Sequence, residues 1–439
     1  MSPLMIGLLI FAVTTLVLAT GLPIAFGLGA VALGFMLIFD GWSSVHFIPE
    51  TIFSGLNDFT LVSLPMFVIM GAAVACSRAG SDLYEALARW LYRVPGSLVV
   101  SNIGACALFS ALTGSSPATC AAIGKMGIPE MRKRGYPDGV AAGSIAAGGT
   151  LGILIPPSVT MIVYGIATET SIGRLFLAGV IPGFVLVALF MLWSLYSTWR
   201  TGDANVALGK VSYTWAERFE ILPRVLPFLA IILGVLYALY GGIATPSETA
   251  AVGALLCVTV AIVIYRLWAP KALWVVLRDS TRESVMILFI IAAAGVFSYM
   301  LSSLFVTQSI AQWIGTLEVS RWVLMLWINL FLLIAGFFLP PVAVILMAAP
   351  ILLPIVTQAG FDPYWFAVVL TINMEIGLIT PPVGLNLYVI NGIAPDIKLK
   401  TILLGSLPYV LCMVAAIVLL CLFPQLATWL PDTLMGPAI

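Results

Sequence analysis

Charged residues are scarce in this chain. Of its 439 residues, only 9% are Asp, Glu, Lys or Arg, while 62% are hydrophobic. The mean hydropathy is +1.13. Because soluble domains are usually about one quarter charged, this composition excludes an ordinary soluble domain. The apolar runs recur from one end of the chain to the other, which is typical of a protein that crosses a membrane many times.

Residues that carry much enzyme and metal chemistry are also few. His46 is the only histidine, so His-based triads and metal-hydrolase sites have almost nothing to work with. The six cysteines lie scattered in apolar runs without paired spacing, which indicates neither a disulfide framework nor a zinc site. They are Cys76, Cys106, Cys120, Cys257, Cys412 and Cys421. No Walker A motif is present, so ATP does not drive the protein directly.

The sequence contains instead a series of segments apolar enough to enter a bilayer. We predict spans near residues 3–19, 22–40, 60–77, 175–199, 224–241, 244–266, 283–302 and 401–430. The first segment is interpreted as a mature span and not as a signal peptide. No positive n-region precedes it, and Gly21-Leu-Pro23 leads straight into a second apolar run.

Two more complicated regions, 97–168 and 323–393, share one pattern. Each contains an apolar stretch folded back at a polar or proline-rich tip, followed by a long stretch interrupted by Pro-Pro. The matched positions are Pro129 and Pro354, Gly135 and Gly360, Gly152 and Gly377, and Pro156-Pro157 and Pro381-Pro382. Matches in the same order along both halves predict a tandem structural repeat.

The distribution of Lys and Arg indicates how the two repeats are related. Loops 78–93 and 125–134 are rich in Lys and Arg, whereas the equivalent loops of the second half contain neither. Because Lys and Arg stay on the cytoplasmic side, equivalent loops must lie on opposite faces and the repeats are inverted. With both termini outside, all 19 Lys and Arg except Arg174 and Arg321 fall inside.

We therefore predict an all-α polytopic membrane protein of two inverted-topology repeats, each with a re-entrant helical hairpin and an unwound helix. The first repeat covers 1–199, with scaffold spans in 3–77, a surface helix at 78–94, a hairpin and unwound helix in 97–168 and a span at 175–199. A cytoplasmic linker covers 200–223. The second repeat covers 224–439, with scaffold spans in 224–302, a surface helix at 303–318, a hairpin and unwound helix in 323–393 and a span at 401–430. The surface helices are amphipathic and too polar to span.

Four helix breaks fall at matched positions in the two repeats. They are Gly114-Ser115-Ser116-Pro117, Gly149-Thr150 to Pro156-Pro157-Ser158, Leu339-Pro340-Pro341, and Gly377 to Thr380-Pro381-Pro382-Val383-Gly384. Because unpaired backbone groups are costly in hydrocarbon, such breaks persist only where protein or a polar cavity covers them. Taken singly, each break can also be explained as a proline kink or a close helix contact. Four in inverted register indicate a transporter binding site.

The breaks offer two kinds of ligand. Freed carbonyls and nearby hydroxyls suit a small hard cation, and freed N–H groups at half-helix N-termini favour an anion. The hydroxyls are those of Ser115, Ser116, Thr150 and Thr380.

Other polar residues near the breaks are candidates for substrate contact. They are Thr119, Thr150, Ser158, Asn373, Glu375 and Asn386. Glu375 lies two residues before the second unwound segment, and an intramembrane ionisable group is a functional candidate by default. The alternatives are a protonated structural glutamate, helix–helix hydrogen bonds for Asn386, and bonds from Thr119 and Ser158 to their own backbone. Glu248 lies near a predicted helix start, where a capping or dipole role is favoured over ion binding.

Four segments carry a resemblance to a known family. They are GSSPAT at 114–119, GILIPPS at 152–158, GIATPSETAAVGA at 242–254 and GLITPPVG at 377–384. Together they make the chain similar to the large membrane subunit of tripartite ATP-independent periplasmic (TRAP) transporters, over essentially its whole length. The resemblance implies elevator-type ion-transporter architecture in the bacterial inner membrane, with import driven by a sodium gradient. It also implies a periplasmic binding protein that delivers an organic acid and a separate small four-helix membrane subunit.

The resemblance further implies sodium sites at each hairpin tip and the unwound helix beside it. By motif, these are Ser115, Ser116, Gly152 and Pro156 for one site, and Leu339, Pro340, Thr380 and Gly384 for the other. The family is expected to have an Asp near the position of Pro340. Without that carboxylate, ligation at the second tip rests on carbonyls and on Thr380.

Three other functions compete with sodium-driven import that uses a binding protein. A stand-alone sodium-coupled anion symporter of the same architecture needs no binding protein. A membrane enzyme with Ser115 or Ser116 as nucleophile needs an activating base, and only Lys125 lies near in sequence. A channel is disfavoured because paired hairpins with inverted breaks suit alternating access. No nucleic-acid partner is predicted.

Overall fold

The computed structural model describes residues 1–94, 96–201, 213–316 and 319–436, and every regular element within them is a helix. Residues 202–212 of the predicted linker and 317–318 of the second predicted surface helix lie outside the described residues. Seven of the described helices are long and apolar enough to cross a membrane, and a bent pair, Trp42–Leu56 and Phe59–Ala75, adds an eighth candidate span. The chain is a multi-pass membrane protein, and the predicted helical fold class is confirmed.

The described residues of the first half form ten α-helices. They are α1 (Pro3–Ala19), α2 (Ile24–Phe39), α3 (Phe47–Leu56), α4 (Ser63–Ala75), α5 (Ala79–Trp90), α6 (Ser97–Thr113), α7 (Ser116–Lys133), α8 (Asp138–Thr150), α9 (Val159–Thr168) and α10 (Ile172–Thr201). Helices α6 and α7 form hairpin 1, whose tip 1 is Gly114-Ser115. Helices α8 and α9 form broken helix 1, and residues 151–158 are its break 1. A short 3-10 turn, Leu151–Ile153, opens the break.

The second half repeats this plan after a short helix α11 (Trp215–Glu220). Its further helices are α12 (Leu222–Tyr240), α13 (Pro246–Val263), α14 (Pro270–Ser303), α15 (Val306–Thr316), α16 (Arg321–Phe338), α17 (Pro341–Gln358), α18 (Pro363–Leu378), α19 (Leu385–Ile393), α20 (Leu399–Leu422) and α21 (Gln425–Met435). Helices α16 and α17 form hairpin 2, whose tip 2 is Leu339-Pro340. Helices α18 and α19 form broken helix 2, with break 2 at residues 379–384.

Two predicted boundaries were wrong. The predicted span 401–430 ends at Leu422, and α21 is a separate helix. Pro424 explains the break, because proline removes a backbone donor and restricts Phe423 before it, whose φ of −129° and ψ of 73° leave the helical region. The predicted span 283–302 is only the second part of α14, a helix of 34 residues that begins at Pro270.

Local sequence explains where several helices begin. Thr214 and Thr245 open α11 and α13 with capping boxes, in which the N-cap hydroxyl and the Glu three residues later satisfy each other's backbone. In α13 that glutamate is Glu248, so its predicted capping role is confirmed. Asp362 caps α18 by accepting hydrogen bonds from the N–H groups of Tyr364 and Trp365.

The two broken helices run in opposite directions. At one end of the molecule, the hydroxyl of Tyr164 in α9 donates to the carbonyl of Pro363 at the start of α18, at 3.2 Å. At the other end, Arg132 pairs with Asp138 at the start of α8 and with Asp396 just beyond α19. The end of each broken helix therefore lies beside the start of the other, which is the arrangement that inverted repeats require.

The repeats are interlocked by equivalent contacts. The second half of broken helix 2, α19, packs on α7 of hairpin 1, and the second half of broken helix 1, α9, packs on α17 of hairpin 2. Helix α20 crosses α8 so closely that Gly143 and Gly405 meet backbone to backbone. A side chain at either glycine would force the two helices apart. The hairpins and broken helices thus form one packed body.

The first predicted surface helix, 78–94, coincides with α5, which is amphipathic, while its position at the membrane surface stays a prediction. Its buried face packs on α6 and α7 of hairpin 1, while Arg89 reaches away to α11. The Arg89 guanidinium donates to the Glu217 carbonyl and pairs with Glu85. Helix α5 therefore connects the base of hairpin 1 to the segment that joins the two halves.

Candidate functional site

Tip 1 contacts break 1 directly. Gly114 ends α6 at a φ of +59°, in the left-handed region that favours glycine. A Cβ on Gly114 would lie 2.9 Å from the Pro157 carbonyl oxygen, and one on Gly152 would lie 2.8 Å from the Ser115 carbonyl oxygen. The motifs GSSP and GILIPPS are thus two sides of one contact, and glycine is needed on both sides.

Hydroxyl groups cluster on the hairpin side of tip 1. The Thr119 hydroxyl donates to the Ser115 carbonyl at 2.9 Å and lies 3.0 Å from the Thr113 hydroxyl. The Thr119 hydroxyl is also 3.5 Å from that of Ser110. All three threonine and serine side chains are buried. The cluster fixes the shape of the tip and surrounds the Ser115 carbonyl with polar atoms.

Beside tip 2, the last turn of α16 contacts break 2 and the end of α18. The N–H of Val383 donates to the Phe337 carbonyl at 3.2 Å, which joins the break to the last turn of α16. In the last turn of α18, just before break 2, Gly377 meets the backbone of Gly336 in α16. Gly384 then begins α19 at a φ of +54°. The sequence-matched breaks of the second repeat are therefore also together in space.

The first and second pairs of tip and break are joined by Asn386. Its side-chain amide, in the first turn of α19, donates to the Ser116 hydroxyl at 2.8 Å and to the Ala146 carbonyl at 3.1 Å. Ser116 is the first residue of α7, and both Ser116 and Asn386 are fully buried. Asn386 thus connects the end of break 2 to tip 1 and to the last part of α8.

Helix ends give the tips and breaks both kinds of partial charge. Helices α6, α8, α16 and α18 end at them, and α7, α9, α17 and α19 begin at them. Within the described chain, no side chain caps the start of α7, α17 or α19. The N-termini of these helices present backbone donors that suit an anion, and the C-terminal carbonyls opposite them suit a small cation.

Several predicted ligand side chains bond to their own helix. The Thr150 hydroxyl donates to Ala147 and the Thr380 hydroxyl to Ile376, at 2.6 and 2.7 Å. Ser158 is the N-cap of α9: its hydroxyl donates to the Ile153 carbonyl and accepts from the Met161 N–H. These three hydroxyls have a structural partner in this state, while their role as ligands stays a prediction.

Glu375 and Asn373 lie on different faces of α18. Asn373 donates to the amide oxygen of Asn329 in α16, a polar pair between broken helix 2 and hairpin 2 that was not predicted from the sequence. Glu375 is 0% exposed, and neither carboxyl oxygen has a hydrogen-bond partner among the described residues. Asn329 had a recognisable signal, because it is a lone amide in the apolar run of α16.

The remaining predicted sodium ligands lie in the turn of hairpin 2 and in the two breaks. Leu339 and Pro340 form the extended turn between α16 and α17. Pro156 lies within break 1 and the peptide bond to Pro157 is cis, as is the bond between Pro381 and Pro382 in break 2. The first predicted sodium set therefore combines tip 1 with the break that contacts it. The second combines tip 2 with break 2, which contacts the neighbouring turn of α16. The proposed ligands of both sets are neutral oxygens.

Comparison with known proteins identifies the family. Residues 11–426 match the family described as tripartite ATP-independent periplasmic transporter, DctM component. The chain is 38% identical over 392 residues to the C4-dicarboxylate TRAP transporter large permease protein DctM of Pseudomonas aeruginosa, covering 89% of this chain and 90% of that protein. It is 31% identical over 419 residues to the sialic acid TRAP transporter large permease protein SiaM of Vibrio cholerae, covering 95% and 97%.

A solved structure shares the fold. The YdaH transporter of Alcanivorax borkumensis, whose topology was described as unusual, aligns with a TM-score of 0.67 over 92% of this chain and 91% of its own. At 16% identity this likeness concerns the fold alone. The family match and the relatives cover nearly the whole chain, including all four helix interruptions. The chain therefore belongs to the DctM family and is a large membrane permease component of a TRAP transporter.

Proposed function

We propose that this chain carries out sodium-gradient-driven import of an organic acid, a carboxylate that a periplasmic binding protein delivers. The proposal rests on one observation. Each hairpin contacts its own broken helix at or beside its tip, and Asn386 links the two pairs of hairpin and broken helix. Separate kinks would serve helix packing. Two pairs of hairpin and broken helix that Asn386 links instead form a site of helix ends and neutral oxygens.

Sodium is the ion that this site suits. The Gly152 contact places the Ser115 backbone at the junction of tip 1 and break 1. Carbonyl and hydroxyl oxygens are the ligands that hard cations prefer, and unwound backbone in a buried cavity supplies them without water. A cation bound there would hold tip 1 against break 1, and a second would do so at Thr380 and tip 2.

A carboxylate is the substrate class that fits the remaining groups. The uncapped N-termini of α7, α17 and α19 favour an anion once the cations are bound. The relatives described above are permeases for C4-dicarboxylates and for sialic acid. From those proteins we infer only the substrate class, a carboxylate, and not a particular acid.

The transport step follows from how the helices are packed. The hairpins and broken helices move as one body across the bilayer, against a scaffold formed largely by α1, α2, α12 and α13. Helices α5 and α15 link the two parts. A gradient can drive this elevator motion, because one charge moved through 100 mV is worth about 2.3 kcal/mol.

The proposal includes partners and an orientation. A small four-helix membrane subunit buttresses the scaffold in the lipid bilayer of the bacterial inner membrane. Both termini face the periplasm, so that the face with Arg89, Arg132 and Arg218 lies in the cytoplasm. A stand-alone sodium-coupled anion symporter is the alternative, in which no binding protein takes part.

Uptake into liposomes separates these functions. The complex of this chain and its small subunit is reconstituted, and labelled organic acids are offered with or without the cognate binding protein. We expect uptake only when an inward sodium gradient and the binding protein are both present, with potassium as the control gradient. Uptake without the binding protein would favour the stand-alone symporter, and uptake unaffected by sodium would contradict the proposed coupling.

A further inference from the structure

Asn386 occupies the point where the two repeats meet. It is the second residue of α19, two positions after Gly384, which ends break 2 in the left-handed conformation. It is 0% exposed. Any rearrangement of break 2 therefore moves the Asn386 side chain, because only one residue separates it from the end of the break.

The hydrogen bonds of Asn386 all reach the other repeat. Its Nδ2 donates to the Ser116 hydroxyl at tip 1 and to the Ala146 carbonyl in α8, partners that lie 270 and 240 residues away along the chain. A carbonyl oxygen can only accept a hydrogen bond, so the Asn386 atom that faces the Ala146 carbonyl must be the amide nitrogen. Both bonds therefore use the donor end, and the contact cannot be kept by a side chain without an N–H.

The acceptor end of the same amide is unused. Oδ1 of Asn386 is buried and has no hydrogen-bond partner within the described part of the chain. A buried amide that bonds through one end only is held less firmly than one that bonds through both. The donor bonds to Ser116 and Ala146 are therefore what orients this side chain.

We propose that Asn386 is a positioning residue that couples the two ion sites, transmitting the order of tip 1 to break 2. This inference rests on the proposed sodium-driven function. An ion that fixes Ser116 at tip 1 also fixes the Nδ2 of Asn386, and thereby the start of α19 and the end of break 2. The second ion then binds a break that is already ordered, which is positive cooperativity between the sites.

Asn391 provides a matched control on the same helix. Its Nδ2 donates to the Ile397 carbonyl at 2.9 Å, a bond that stays within the second repeat. Loss of that bond removes an asparagine side-chain contact of α19 without touching tip 1. The two residues thus differ in the one respect that the proposal concerns.

The test measures how initial uptake depends on sodium concentration in the reconstituted complex with its binding protein. Asn386→Ala and the volume-conserving Asn386→Leu are compared with Asn391→Ala and the unchanged protein. For both Asn386 variants we expect the Hill coefficient for sodium to fall towards one and the half-saturating sodium concentration to rise about fivefold or more. At saturating sodium both sites are filled and break 2 is ordered without help from Asn386, so the half-saturating substrate concentration should change little. Asn391→Ala should keep the original Hill coefficient.

Several results would overturn the coupling role. An unchanged Hill coefficient in both Asn386 variants would do so, as would a Hill coefficient of one in the unchanged protein. A raised half-saturating substrate concentration with unchanged sodium cooperativity would assign Asn386 to substrate binding. Failure of both variants to fold would assign it to structure alone. Sodium-independent uptake by the unchanged protein is a separate result, because it removes the proposed function itself.

Discussion

Gly152 of broken helix 1 lies against the backbone of Ser115 at tip 1, so close that a Cβ on Gly152 would fall 2.8 Å from the Ser115 carbonyl oxygen. The two residues belong to different motifs of the sequence, yet each determines the shape of the surface that the other meets. Because the neighbours are backbone atoms, neither side can yield without moving the tip or the break.

The first prediction therefore concerns Gly152→Ala. An added methyl group in a packed contact of this kind costs about 1 to 3 kcal/mol. Here it would destabilise the contact between tip 1 and break 1. We expect sodium-dependent uptake to be lost while the protein still reaches the membrane. Gly295→Ala in α14 is the matched control, since no described atom beyond the neighbouring backbone of its own helix lies within 4 Å of the position of its Cβ. Equal uptake by the two variants would contradict the contact.

The second prediction concerns Glu375, whose buried carboxyl has no described counter-ion or donor. An unpaired buried charge costs several kcal/mol, so this side chain contributes its shape and not a charge. We expect Glu375→Gln, which keeps the shape, to retain uptake. Glu375→Ala should lower the thermal unfolding temperature of the purified complex, because it leaves a cavity. Loss of uptake in well-folded Glu375→Gln would instead assign a role to the carboxylate.

The third prediction concerns the ion pair between Arg132 and Asp396, which joins the base of hairpin 1 to the end of broken helix 2. The hydrogen bond from Arg132 lowers the pKa of Asp396 below its ordinary value. A lowered pKa in the folded state gives stability that is present above the ordinary pKa of about 4 and is lost as the pH falls through the folded value.

Asp396→Asn should therefore lower the thermal unfolding temperature at pH 7, and the difference from the unchanged protein should shrink below about pH 4. Asp279→Asn is the control. Among the described residues, Asp279 forms an ion pair only with the adjacent Arg278 in the same helix, so this pair does not connect two helices. A difference between Asp396→Asn and the unchanged protein that stays constant across this pH range would contradict the ion pair's contribution.

Much of the fold could be predicted from the sequence because Gly and Pro mark the interruptions of otherwise apolar helices. The tips at Gly114 and Pro340 and the two Pro-Pro breaks all lie where these residues indicate. The capping role of Glu248 followed from its position near a predicted helix start, and the structure supplies its partner, Thr245. The end of α20 at Leu422 had a signal in Pro424 as well, but the long apolar run outweighed it.

The contacts that join the site could not be predicted in the same way. Asn386 and Ser116 are 270 residues apart, and no spacing along the chain indicates that their side chains meet. The pairing of Asn329 with Asn373 depends on the rotation of α16 against α18. Such contacts follow from the packing of helices at the close Gly–Gly crossings, which only the assembled fold reveals.

The central claim is that tip 1 and break 1 hold a sodium ion, and its most direct test is sodium-specific stabilisation of the purified complex. The thermal unfolding temperature is measured against sodium concentration, with potassium as control, for the unchanged protein and for Ser116→Val. We predict that sodium, but not potassium, raises the unfolding temperature of the unchanged protein, and that Ser116→Val markedly weakens this response. An equal response to both ions, or an undiminished sodium response in Ser116→Val, would contradict the account.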